Sequence, residues 1–183
     1  MLTALLAGGS LIGFGWAARS LTRGGDAYRL AAYGVLIGLP GFSAIIFSAP
    51  MESGALFRVG TFCIGLGAGL FAVGTLTAAM ALARAGRNAA LSGLALGAWG
   101  AVQATAMGGG IALGGALRDL VGVWGASGAL GPGMSAAYAG YSFVYHLELL
   151  LLFATLIALG PLCGSKHTKT NENREFGLAE FPG

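Results

Sequence analysis

Four stretches of this 183-residue chain contain no charged residue: Leu2–Ala18, Leu30–Ala49, Val59–Ala83 and Asn88–Leu117. A fifth, Ser135–Gly160, is broken only by His146 and Glu148. An α-helix needs roughly 17–25 apolar residues to cross the ~30 Å hydrocarbon layer of a bilayer. All five runs reach that length, and lipid admits only helices or closed barrels as spanning structures. The expectation is an all-α, polytopic membrane bundle of five transmembrane helices over residues 1–163. A polar tail over 164–183 follows, with little to bury and therefore expected to be disordered.

The charges between the runs assign the two sides. Arg19, Arg23, Arg29, Arg84, Arg87, Lys166, Lys169 and Arg174 fall on one side of such a bundle, and Arg58 and Arg118 on the other. Basic residues collect on the cytoplasmic face, so the predicted orientation is N-terminus periplasmic and C-terminus cytoplasmic. The formal charge of +3, in a chain with 56% hydrophobic and only 9% charged residues, therefore reads as topology. Nucleic acid is excluded as a partner, because no face carries a dense basic stripe with interleaved aromatics. Residues 2–18 lack the basic start of a secretory signal and exceed its usual apolar length, so they are read as a retained helix.

The connections are short. Arg19–Arg29 holds Arg-Gly-Gly-Asp and makes a tight cytoplasmic turn; Pro50–Gly54 and Arg84–Arg87 are briefer. Arg118–Met134 is expected to be a loop along the outer surface, with Trp124 at the headgroup level and Pro132 inside it. Cys63 and Cys163 fall near opposite membrane faces, too far apart for a disulfide, whose Cα atoms must lie within about 7 Å. Both are expected to be free thiols.

Glycine recurs four residues apart inside the runs, at Gly9 and Gly13, Gly65 and Gly69, Gly93 and Gly97, and Gly110 and Gly114. Such pairs present one small face, which lets helix backbones approach closely in lipid. Packing within the bundle is one use for these faces, and docking of a second protein or a flat pigment is the other. Pro40 and Gly108-Gly109-Gly110 are candidate kinks.

Few side chains at membrane depth carry chemistry. Gln103 lies midway along the fourth run, with His146 and Glu148 inside the fifth, and intramembrane ionisable groups are costly enough to imply a use. His146 and Glu148 are two residues apart and point about 200° away from each other on a helix. Tyr141, Tyr145 and Glu148 share one face, expected to be a buried hydrogen-bond cluster. Ser142, His146, Leu149 and Phe153 share another, which offers a ring nitrogen above an apolar floor. That second face has two readings: an axial ligand for the magnesium of a chlorophyll-type ring, or an imidazole bonded to a backbone carbonyl or to Gln103. Enzyme signatures are missing. His146-Leu-Glu148 matches the H-x-E of zinc deaminases, but no P-C-x-x-C accompanies it. Neither a nucleophile elbow nor a P-loop occurs. A catalytic role is not expected.

Several strings resemble the PucC (bacteriochlorophyll delivery) family of the major facilitator superfamily. They are Leu2-Thr-Ala-Leu-Leu-Ala-Gly-Gly, Gly74-Thr-Leu-Thr-Ala-Ala-Met-Ala-Leu-Ala, Leu96-Gly-Ala-Trp-Gly-Ala-Val-Gln-Ala-Thr-Ala, Gly114-Gly-Ala-Leu-Arg-Asp and Gly140-Tyr-Ser-Phe-Val-Tyr-His-Leu-Glu. The similarity runs from residue 2 to about 162. It implies the C-terminal half of a twelve-helix facilitator fold without that half's first helix. It also implies an accessory role in assembling purple-bacterial light-harvesting complexes, in the intracytoplasmic photosynthetic membrane. The partners so implied are light-harvesting polypeptides or a reaction-centre complex, and the cofactors bacteriochlorophyll and carotenoid. The alternative function is half of a facilitator-type transporter completed by a separate partner half.

Overall fold

The computed structural model describes the backbone of residues 1–85, 89–131 and 139–175, and the side chains of all these except 85, 89–92 and 164–175. Arg87, Pro132 and Met134 lie outside the described residues, as do the side chains of Lys166, His167, Lys169 and Arg174. Among the described residues five helices follow one another: α1 (Leu2–Thr22), α2 (Ala27–Ser48), α3 (Gly54–Ala85), α4 (Ala89–Ala126) and α5 (Ala139–Glu175). No strand occurs among the described residues.

Three of the five, α2, α3 and α5, are long and apolar enough to cross a membrane by length and composition alone. The other two are long enough but diluted. Gly, Ala, Ser and Thr fill much of α1 and α4, and such residues contribute little transfer free energy each. The five apolar runs therefore all give helices, while the purely compositional criterion is met by three.

Local chemistry sets the turns. Leu21 and Ser20 carbonyls at the end of α1 accept from Gly24 N–H (3.0 Å) and Gly25 N–H (2.9 Å). Gly24 closes that cap at φ +83°, a left-handed conformation that costs other residues about 1–2 kcal/mol. Asp26 then caps α2, its carboxylate accepting from the N–H of Tyr28 (2.9 Å) and Arg29 (3.1 Å), which satisfies two of the orphan donors at a helix start. Between α2 and α3, Ser53 Oγ accepts from Leu56 N–H at 3.3 Å.

The helices alternate in direction. Gly9 and Gly13 of α1 meet Gly65 and Gly69 of α3 in the same order, so these two run parallel. Gly34 and Gly41 of α2 meet Gly67 and Gly60 of α3 in reverse order, so α2 is antiparallel to both. α5 packs against α2, and α4 leans on α3 and α5. Arg19, Arg23, Arg29 and Arg84 consequently gather at one end of the bundle, with Arg58 and Arg118 at the other.

Two expectations about connections change. The stretch after Arg118 is helical to Ala126, because nothing in Leu-Val-Gly-Val-Trp-Gly-Ala breaks a helix. α4 ends where Gly128 turns left-handed (φ +77°) and Ser127 Oγ bonds the Trp124 carbonyl at 2.9 Å. At the other end, α5 continues through the polar sequence to Glu175 instead of stopping at residue 163.

The core is narrow and centres on α3. Ala17, Leu30 and Leu70 form one buried cluster; Ala31, Val35 and Leu159 form another, with Phe71 and Leu152 against it. Cys63 and Cys163 are both free and half-buried.

Candidate functional site

α3 is gripped on two sides by small-residue seams. Toward α1, a Cβ on Gly13 would stand 2.5 Å from the Leu66 carbonyl oxygen, and one on Gly69 2.5 Å from that of Ser10. Ser10 Oγ reaches across this seam to the Gly65 carbonyl at 3.1 Å, and to Leu6 of its own helix at 3.0 Å. Toward α2, the seam is built from Gly34 and Gly41 against Gly60, Gly67 and Gly74, with Ala27 and Ala31 on Gly74. This second seam lacks a simple four-residue signature on α3. Its glycines there are seven apart, which is the repeat of a helix wound around a neighbour.

The glycines of α4 behave otherwise. Gly93, Gly97 and Gly110 have nothing within 4 Å of an added Cβ, and Gly114 meets only Val144 at 3.6 Å. Of the two uses these faces could have, packing within the bundle is seen for Gly114 only, and the other three have open space around them among the described residues. Two side-chain hydrogen bonds tie α4 to its neighbours there, and Gly140 of α5 lies close against the Arg118 backbone. Trp99 Nε1 donates to Thr75 Oγ1 of α3 at 3.2 Å. Arg118 donates to the Tyr141 hydroxyl of α5 at 2.7 Å while pairing with Asp119 beside it. Neither Trp99 nor Thr75 stands out in the sequence, because an indole and a hydroxyl are ordinary in membrane helices.

The polar groups of α5 separate. Tyr141, Tyr145 and Glu148 do not form the expected buried hydrogen-bond cluster, and the reason is that better partners lie on other helices. Tyr141 is half-exposed and taken by Arg118, whose guanidinium carbon also lies 5.0 Å from the ring centroid. Tyr145 tilts against Phe42 of α2, with ring centroids 6.2 Å apart. Tyr141, Ser142 and Tyr145 together line a cavity of about 300 Å³ beside Ser48 and Phe57. Glu148 faces a different cavity, between α2, α3, α4 and α5. Gln103 is exposed on α4 and is not the partner of His146.

His146 is exposed, and its Nδ1 lies 2.7 Å from the Ser142 carbonyl oxygen one turn earlier. A carbonyl only accepts, so Nδ1 is the donor, and in the neutral ring the lone pair then sits on Nε2. Metal-ligating histidines are commonly oriented in this way, by donating the other ring N–H to a backbone carbonyl. Leu150, Phe153 and Ile157 follow His146 at intervals of four, three and four residues, and all are exposed. The outward face of α5 thus presents one basic nitrogen at the end of an apolar strip. Ser142 contributes its carbonyl to this site, and its side chain lies toward the cavity with Tyr145. No cluster of His, Cys, Asp and Glu able to hold a free metal ion occurs among the described residues.

The family described as PUCC protein matches residues 1–167 of the chain. An uncharacterized protein in the puhA–bchM intergenic region of Rhodobacter capsulatus is 49% identical across 99% of this chain and 38% of its own length. Protein PucC of Rhodovulum sulfidophilum is 56% identical across 66% of the chain and 26% of its own length. Protein PucC of Cereibacter sphaeroides is 47% identical, across 90% and 34% respectively. The chain therefore spans between about a quarter and two-fifths of the length of these relatives. No solved structure matches it.

Proposed function

The chain belongs to the PucC protein family, and on that premise we propose that it is a non-catalytic membrane accessory protein of the photosynthetic apparatus. In this reading it binds light-harvesting polypeptides or a reaction-centre complex, and bacteriochlorophyll, either to assist antenna assembly or as a retained subunit. It lies in the bacterial inner membrane with its N-terminus periplasmic and its C-terminus cytoplasmic. The observation that carries the reading is the family match over nearly the whole chain, joined to an α4 on which Gly93, Gly97 and Gly110 meet nothing among the described residues. Helix association in lipid relies on such faces, so α4 is the surface assigned to the polypeptide partner.

His146 fits the pigment. In its neutral tautomer the ring offers the Nε2 lone pair, and Phe153 and Leu150 supply an apolar floor against which a flat ring can lie. Bound there, bacteriochlorophyll would be held by the His146 imidazole and would supply a light-absorbing ring. The part played by this chain is to orient the imidazole by the Ser142 carbonyl and exclude water with the aliphatic strip. A carotenoid would add only apolar contact along the same strip.

Isolation in mild detergent from photosynthetic membranes tests the proposal. The wild-type chain is expected to migrate with a pigment–protein complex, and His146→Phe to lose pigment absorption while keeping its helical circular dichroism. Migration free of any pigment complex would remove the reading, and recovery with a complementary transporter half would put the facilitator alternative in its place. Orientation is tested separately by thiol labelling of Thr22→Cys and Ser53→Cys, at opposite ends of the bundle. Thr22→Cys should label from the cytoplasmic side only, and Ser53→Cys from the periplasmic side only.

A further inference from the structure

Glu148 faces away from the His146 strip, into a half-open cleft of about 480 Å³ between α2, α3, α4 and α5. Gly34, Gly38 and Gly67 give it a floor of backbone, Phe71 and Leu152 wall it, and Ala106 of α4 stands at its rim. Gly38 keeps it open: an added Cβ there would have only Leu152 nearby, at 3.5 Å. The volume is in the range of small-molecule sites, which are apolar apart from a few orienting polar groups.

Two polar side chains line it. Thr155 is already committed, donating to the Leu151 carbonyl at 2.8 Å. The Glu148 carboxyl has no hydrogen-bond or ion-pair partner among the described residues. A half-buried carboxyl group without a partner in an apolar cleft at membrane depth is costly, a charged one most of all. A ligand that relieves this in both states must be able to donate to a carboxylate and to accept from a carboxylic acid. A hydroxyl does both. The rest of the ligand has to match glycine backbone, leucine and phenylalanine, and is therefore hydrocarbon.

We propose that this interhelical cavity is a second ligand site, for a largely hydrocarbon molecule ending in a hydroxyl, with Glu148 as the group that binds that hydroxyl. The site is independent of the pigment reading, because Glu148 and His146 stand on opposite sides of α5. Two sources share the chemistry, isoprenoid alcohols and acyl-chain alcohols or glycerides.

The test uses the full chain in lipid nanodiscs, with radiolabelled geranylgeraniol as the isoprenoid probe, oleyl alcohol as the acyl probe and octadecene as the hydroxyl-free control. At least one alcohol is expected to bind about tenfold more tightly than octadecene, the scale of one hydrogen bond to a charged or buried group; which alcohol does so identifies the source. Glu148→Leu should abolish the preference for the alcohol. Glu148→Gln, whose amide both donates and accepts, should keep most of it and also serves as a folding control. Ala106→Phe, which fills the cavity from the loosely held α4, should block all three probes. His146→Phe should change nothing here, so loss of pigment and loss of alcohol are read separately. Equal binding of octadecene and both alcohols by the wild type, or an undiminished preference in Glu148→Leu, overturns the proposal.

Discussion

The helices α1, α2 and α3 pack differently from the pair α4 and α5. In α2 and α3, 39% and 33% of the apolar window is buried, against 6% in α5. The exposed large side chains of α4, among them Leu94, Val102, Met107, Ile111 and Val123, cover much of its length. Glycine content does not account for this, because α4 is rich in it. What differs is alignment. The glycines of α1, α2 and α3 sit opposite one another, so backbone meets backbone, whereas those of α4 meet open space. A small residue stabilises a membrane bundle only when a second small residue faces it. Among the described residues the first three helices are seamed backbone to backbone, and the last two leave much of their surface exposed.

The sharpest way to break that contrast is the same substitution made on both sides. Gly67→Leu forces a side chain into the Gly34 carbonyl at a seam where neither backbone can retreat. It should cost at least about 3 kcal/mol, at the upper end of overpacking effects, and prevent recovery of a folded chain in a detergent unfolding titration. Gly97→Leu should leave the same titration unchanged, while weakening any complex that uses α4. Next in size is Trp99→Phe, which removes the indole donor to Thr75. Its expected cost is about 0.6 kcal/mol, the average for a hydrogen bond between membrane helices. The visible result should be faster amide exchange in α4 with no change in α1, α2 or α3. The smallest is Arg118→Gln, which breaks the link to Tyr141 at an exposed site. Solvent screening limits such a pair, so the melting temperature should fall by no more than about 2 °C. A larger fall would mean that the second pair of helices is more firmly built than its burial indicates.

Much of the architecture is legible in the chain before any coordinates. The five apolar runs become the five helices, and the charge partition agrees with the alternating directions, with Arg58 and Arg118 at one end and Arg19, Arg23, Arg29 and Arg84 at the other. The pairs Gly9 and Gly13, Gly65 and Gly69 are visible because a four-residue spacing marks one face of a single helix. The α2–α3 seam is harder to read, since Gly60, Gly67 and Gly74 keep a common face only when helices wind about one another. Spacing also cannot say whether a face has a partner, and for that reason Gly93 and Gly97 look identical to Gly65 and Gly69 in the sequence. The site is less legible than the fold. Helical phase separates His146 from Glu148 correctly, but the partners that divide Tyr141, Tyr145 and Glu148 are Arg118, Phe42 and a cavity, all supplied by other helices.

The α1–α3 seam also has a history in time. α1 has little to hold in α2 and packs instead on α3, which a ribosome finishes later. At roughly 5–20 residues per second, α1 spends several seconds in the bilayer before Gly69 exists to receive Gly13. During that interval Ser10 can bond the Leu6 carbonyl of its own turn, the contact it retains in the finished bundle beside the one to Gly65. A hydroxyl with a partner at home can wait in lipid, and when the third helix arrives its single proton is shared between the two carbonyls.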